Sequence, residues 1–146
     1  MPSHWLRNLP QWIAAAWWGS LSTVGFFAVP MLFAHLPSRA MAGSMAGHLF
    51  SAQTAVSTVC GLVLLLIFRS DRLPDLAEQA RAATLFVVAG VLLALLVEFG
   101  VSPHIVAREN LVLWHRVGSA MYFAQWICAS VVFAKLVHHP VAQTGN

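Results

Sequence analysis

The sequence predicts an all-α integral membrane protein, a four-helix bundle with a short interfacial helix between its first two spans. Three observations carry that expectation. Of 146 residues, 59% are hydrophobic and only 9% are charged, whereas a water-soluble domain carries about a quarter charged residues to face water. Mean hydropathy is +0.74. The few charges are also clustered, leaving four apolar intervals that each exceed the ~20 residues needed to cross a ~30 Å hydrocarbon core. An open strand cannot satisfy its backbone in lipid, so each interval must be helical. Soluble enzymes, DNA-binding domains, disordered chains and secreted disulfide scaffolds are excluded together.

The first span, residues 11–36, lies within the 31 uncharged residues that separate Arg7 from Arg39. It is far longer than the apolar core of a cleavable signal peptide, so it is expected to stay attached. Gly19, Ser22 and Gly25 form a small-residue stripe suited to close helix contact. Pro30 cannot donate to the Phe26 carbonyl, which predicts a kink. The segment that follows, LPSRAMAGSMAG, is read as the interfacial helix running into the second span.

The second span, residues 48–68, carries Gln53, Thr54, Ser57 and Gly61, and Gly43 and Gly47 ahead of it form a G-x-x-x-G. Gln53 is expected to hydrogen-bond Glu98 or His115. The loop Arg69–Arg81 holds six charges in thirteen residues and must be wet. The third span, 81–101, is interrupted only by Glu98, and residues 101–110, with Pro103 and His104, read as a tight turn. The fourth span, 111–137, carries His115, Gly118, Ser119, Tyr122 and Gln125 on its polar and small side.

Orientation follows from lysine and arginine. Arg7, Arg69, Arg72, Arg81 and Lys135 share one side, against Arg39, Arg108 and Arg116 on the other, which favours cytoplasmic termini. Trp5 and Trp12 read as anchors at that interface and Trp114 at the opposite one. The net charge of +3 does not point to nucleic acid, because no basic face exists to follow a phosphate backbone. Cys60 and Cys128 lie inside apolar runs, where free cysteine behaves as a small hydrophobe.

Candidate chemistry sits on the side opposite the termini. Glu98 near the end of span three and His115–Arg116 near the start of span four fall at similar depth, so Glu98 paired with Arg116 or His115 is the expected polar pair. The same pair, or snorkelling of Arg116, could be purely structural. His35, His48, His104 and His115 lie on that side with Met41 and Met45, which are spaced i,i+4. Imidazole and thioether together suit Cu(I), so these six residues are the candidate metal ligands. The plain alternative has the histidines at helix ends and the methionines against lipid. His138 and His139 read as solvated tail. No catalytic residues are assigned: there is no phosphate loop, no Ser-His-Asp order and no membrane carboxylate pair.

The stretch WWGSLSTVGFFAVPMLFAHLPSRAMAGSMAGHLF resembles the opening of the family typified by transmembrane protein 205, with W-G in the first helix, proline ahead of L-F, then L-P and a small-residue segment ending in L-F. His115 followed by Ser119 matches that family's fourth helix. The resemblance implies a bacterial inner-membrane four-helix bundle and little chemistry. More distantly, the run to Pro30 and His35 is similar to the superfamily holding the copper-resistance protein D domain and the HemJ-type protoporphyrinogen oxidase. That oxidase carries a histidine early in its first helix, where Pro10 and Gln11 stand here.

Three functions follow as expectations. The first is a non-enzymatic membrane protein holding a soft metal such as Cu(I). The second is a haem- or porphyrin-dependent membrane oxidoreductase. The third is a ligand-free assembly partner. The expected surroundings are the lipid bilayer, with a second copy or another membrane protein as partner.

Overall fold

The computed structural model describes residues 4–69 and 77–138, with the side chains of 8–69 and 81–138. The readings of the 70–76 loop, of Trp5 as an anchor and of His139 as tail lie outside what is described. The chain runs as α1 (His4–Ser22), a π-helical turn (Thr23–Ala28), α2 (Val29–His35), α3 (Arg39–Arg69), α4 (Ala77–Leu96), a second π-helical turn (Val97–Val101), α5 (Ser102–Val106) and α6 (Leu111–Val137). These elements join into four rods long and apolar enough to cross a membrane: Asn8–His35, Arg39–Arg69, Arg81–Val106 and Leu111–Val137. The protein is a small polytopic membrane protein with a four-helix bundle fold.

Two boundaries differ from expectation for one reason, the persistence of helix through the connectors. Residues 39–47 are helical as expected, but they are the first turns of α3 and no separate interfacial element. Only Leu36, Pro37 and Ser38 join the first two rods. Pro37 cannot continue a helix, and Ser38 Oγ accepts from the Met41 N–H at 3.2 Å, which starts the next one. The third rod likewise runs past Val101 to Val106. Its turn to the fourth rod is made by Arg108 and Asn110 with positive φ of 57° and 37°. Asn110 tolerates that conformation and caps α6, its Oδ1 accepting from the Leu113 N–H.

Both π-turns sit just ahead of a proline. Val29 donates to the Val24 carbonyl and Ser102 to the Val97 carbonyl, each five residues back. Pro30 and Pro103 have no N–H for Phe26 and Phe99, so the ladder widens by one residue where its usual donor is missing. The expected kink at Pro30 therefore takes the form of a π-turn.

Each rod packs on its neighbours in chain order, and the fourth closes the ring on the first. The dense core gathers at the end nearer the termini: Ala14, Trp17, Leu21, Leu64, Val87, Ala129, Val132 and Leu136 are all buried. Lipid supplies no hydrophobic drive between helices, so contact is won by close approach of small residues. A Cβ on Gly90 would lie 2.8 Å from the Trp17 ring, and Val91 fills the place of a Cβ on Gly61. Toward the connectors only Ala42, Ala46 and Val101 are buried apolar residues. That half of the bundle is looser.

Candidate functional site

Between the dense and loose halves lies a layer of buried polar side chains. Gln53 Nε2 donates to Ser20 Oγ at 3.0 Å and to Ser57 Oγ at 3.3 Å. Gln125 Nε2 donates to the same Ser57 oxygen at 2.8 Å. Gln53, Ser57 and Gln125 are nearly inaccessible. The layer ties the first, second and fourth rods together. Gln53 is thus spent on serines and does not meet Glu98 or His115. Sequence named every one of these positions except Ser20 as polar, but could not pair them, because depth along a helix does not give azimuth.

Above this layer, α6 grips the end of α1. Tyr122 OH donates to the Leu21 carbonyl and Trp126 Nε1 to Ser22 Oγ, both at 2.9 Å. The Phe26 ring stands edge-on to Trp126, with centroids 5.4 Å apart, and Phe50 meets Tyr122 in the same manner at 5.2 Å. Gly25 accommodates Tyr122, for a Cβ there would come within 2.6 Å of its ring. These bonds hold the last α-turn before the π-turn, where backbone carbonyls change partner.

Past this grip the first rod continues as α2, which packs on α3. Along one side of α6, Trp126, Tyr122, Ser119 and His115 follow at steps of four, three and four residues. Ser119 and His115 are both exposed. On the facing rod Phe26, Met31 and Phe33 are 49%, 59% and 47% exposed. His115 and Ser119 on the fourth rod and Phe26, Met31 and Phe33 on the first are thus exposed beyond the buried polar layer.

The remaining candidates separate. Glu98 does not pair with Arg116: Ser51 Oγ donates to its carboxylate at 2.8 Å across the second and third rods. His115 and Arg116 are exposed, and His104 Nδ1 lies 2.7 Å from the Glu109 carboxylate. His104 also stacks on Trp114 with centroids 4.1 Å apart. It is therefore engaged in closing the second connector. His35 Nδ1 lies 3.0 Å from its own helix's Met31 carbonyl. Met41, Met45 and His48 are exposed along one face of α3. Among the described residues, no three His, Cys, Asp or Glu side chains come together as a metal-binding group. The four histidines of the candidate set are therefore not gathered at one point. Trp12, 66% exposed near the start of the first rod, fits an interfacial anchor.

Neither a curated protein nor a solved structure matches the chain. Residues 12–111 match a family profile, and that stretch takes in both π-turns, α2 and the Glu98–Ser51 bond, stopping where α6 begins. On that match the chain belongs to the family described as Domain of unknown function (DUF4149).

Proposed function

We propose that this protein is a binding protein of the membrane and not a catalyst, and that it takes its ligand in a groove between the first and fourth rods, beyond Tyr122 and Trp126. The observation that carries this reading is the exposure of two polar side chains, His115 and Ser119, within a membrane span and in line with Tyr122 and Trp126. Polar groups at such depth are costly and are kept where they serve a purpose. π-turns concentrate at functional places in helices. The test uses Ser119→Cys with Cys60→Ala and Cys128→Ala. A small thiol reagent should modify Cys at 119 far faster than Cys introduced at the buried Ala129. Equal protection of the two would close the groove and remove this reading.

A second reading, capture of Cu(I), is supported by Met41, Met45 and His48, which fall at i, i+4 and i+7 on one exposed face of α3. His35, at the end of the preceding rod, completes the soft-ligand set of that reading. Competition with a Cu(I) chelator tests it: unchanged affinity in His35→Ala with His48→Ala rejects the site. The likeness to the HemJ-type oxidase makes haem the other ligand to check, and absence of a Soret band from the purified protein rejects it. The likeness to the transmembrane protein 205 family implies the bundle and a bacterial inner-membrane setting. The lysine and arginine distribution supports cytoplasmic termini, which places the groove mouth on the periplasmic side.

A further inference from the structure

We propose that a pocket between the third and fourth rods, at the end of the bundle nearer the termini, holds the headgroup of an anionic phospholipid, with its phosphate on Lys135 and a headgroup hydroxyl on His138. The site is independent of the groove, which belongs to the other end. The first argument is the space. The pocket has a volume of about 420 Å³ and, among the described residues, is lined by Ala82 of α4 and by Ala134, Lys135 and His138 of α6. Small-ligand sites run to about 300–1,000 Å³. Its apolar wall is a methyl group from each rod, and Lys135 and His138 supply the polar side.

The second argument is depth. Gln11 Nε2 donates to the Leu136 carbonyl at 2.9 Å, which sets the start of the first rod level with the last turn of the fourth. Trp12 follows Gln11 and is 66% exposed, marking that level as the membrane interface. Lys135 stands two residues before the rod ends at Val137. It is therefore at headgroup level.

The third argument is the chemistry of the polar wall. Among the described residues the lining holds a cation and no carboxylate. His138 Nδ1 lies 3.0 Å from the Ala134 carbonyl, which can only accept, so that nitrogen carries the ring proton. Nε2 is then the acceptor of the neutral imidazole. A cation beside an acceptor suits a headgroup that bears both a phosphate and a free hydroxyl. Basic pockets between membrane helices take anionic headgroups in this manner. A lysine in a last helical turn also suits the helix dipole, so the readout must be bound lipid and not stability.

The experiment is native mass spectrometry of the full chain in maltoside micelles with equimolar phosphatidylglycerol and phosphatidylcholine of the same acyl chains. Wild type should retain phosphatidylglycerol over phosphatidylcholine by about fivefold, the ratio expected from one near-surface cation. Lys135→Gln should bring the two lipids to parity, and Ala134→Trp should do the same by filling the pocket. Arg39→Gln, exposed at the opposite end, should keep the wild-type ratio. Phosphatidylmethanol, an anion of equal charge without a hydroxyl, should be retained less than phosphatidylglycerol by wild type and equally by His138→Phe. Parity in wild type overturns the proposal without needing any variant. A ratio that falls as far in Arg39→Gln as in Lys135→Gln would assign the preference to diffuse charge and overturn it too. Loss of the ratio on adding excess inorganic phosphate would give the pocket to a free anion, and equal retention of phosphatidylmethanol by wild type would overturn the hydroxyl contact.

Discussion

Ser57→Ala should expose how much the buried polar layer contributes. Ser57 Oγ receives the Gln125 amide at 2.8 Å and the Gln53 amide at 3.3 Å, with Ser57 fully buried. After substitution Gln53 keeps Ser20 at 3.0 Å, so a single donor, Gln125 Nε2, loses the acceptor it now uses. Orphaning a buried donor costs about 1–3 kcal/mol. Interhelical hydrogen bonds in bilayers average about 0.6 kcal/mol and reach about 1.7. The expected cost of Ser57→Ala is therefore about 1–1.5 kcal/mol. Gln125→Leu removes the donor at similar volume, so adding it to Ser57→Ala should cost less than adding it to wild type. A double-mutant cycle read by unfolding in mixed micelles should give a coupling of about 1 kcal/mol. Additivity within about 0.3 kcal/mol would refute the shared-acceptor argument.

Three further outcomes follow from the same geometry. Gly90→Ala forces a methyl group to 2.8 Å from the fully buried Trp17 ring and should cost about 1–3 kcal/mol. Gly43→Ala meets nothing within 4 Å and should stay within about 0.5 kcal/mol of wild type. Equal melting temperatures for the two variants would contradict the packing described. Glu98→Ala combined with Ser51→Ala should be non-additive by about 1 kcal/mol, while Glu98→Ala combined with Arg116→Gln should be additive. Coupling to Arg116 would restore the pairing expected from sequence. Pro30→Ala returns an N–H for the Phe26 carbonyl, so the first rod should straighten toward α6. Reactivity of Cys at 119 should then fall several-fold, and an unchanged rate would uncouple the proline from the groove.

Rod number and position were legible because a single charge inside a span is so costly that Arg39, the Arg69–Arg81 cluster and Arg108–Arg116 mark the edges almost alone. The rod ends were less so. Charge says where lipid stops, but helix continues into the connectors as long as backbone donors and acceptors pair, as at Arg39–Gly47 and Ser102–Val106. Pairing across rods was least legible. Glu98 and Arg116 do share a depth, yet a π-turn containing Glu98 shifts every later side chain around the axis, and Ser51 becomes its partner. The exposed polar pair on α6 had a signal that could have been read. Ser119 and His115 continue the line of Tyr122 and Trp126, and both are exposed.

The two π-turns share a cause and differ in outcome. Each holds a phenylalanine, Phe26 or Phe99, whose carbonyl would have bonded the nitrogen of a proline four residues on. In the third rod the widened turn keeps one residue against the bundle, although Phe99 is exposed. Val101 is buried and would sit 3.3 Å from a Cβ on Gly118, and Glu98 reaches back to Ser51. In the first rod the aromatic contacts found among the described residues, Trp18–Phe133, Phe26–Trp126 and Tyr122 against Gly25, all precede the proline. Gly118 on α6 meets Val101 of the third rod and lets it come close, whereas Ser119 and His115 are exposed. Side-chain size on α6 thus sets how closely the third rod approaches beyond its proline. Replacing Gly118 by a large residue should open a cleft there, as a large residue at 119 should fill the groove.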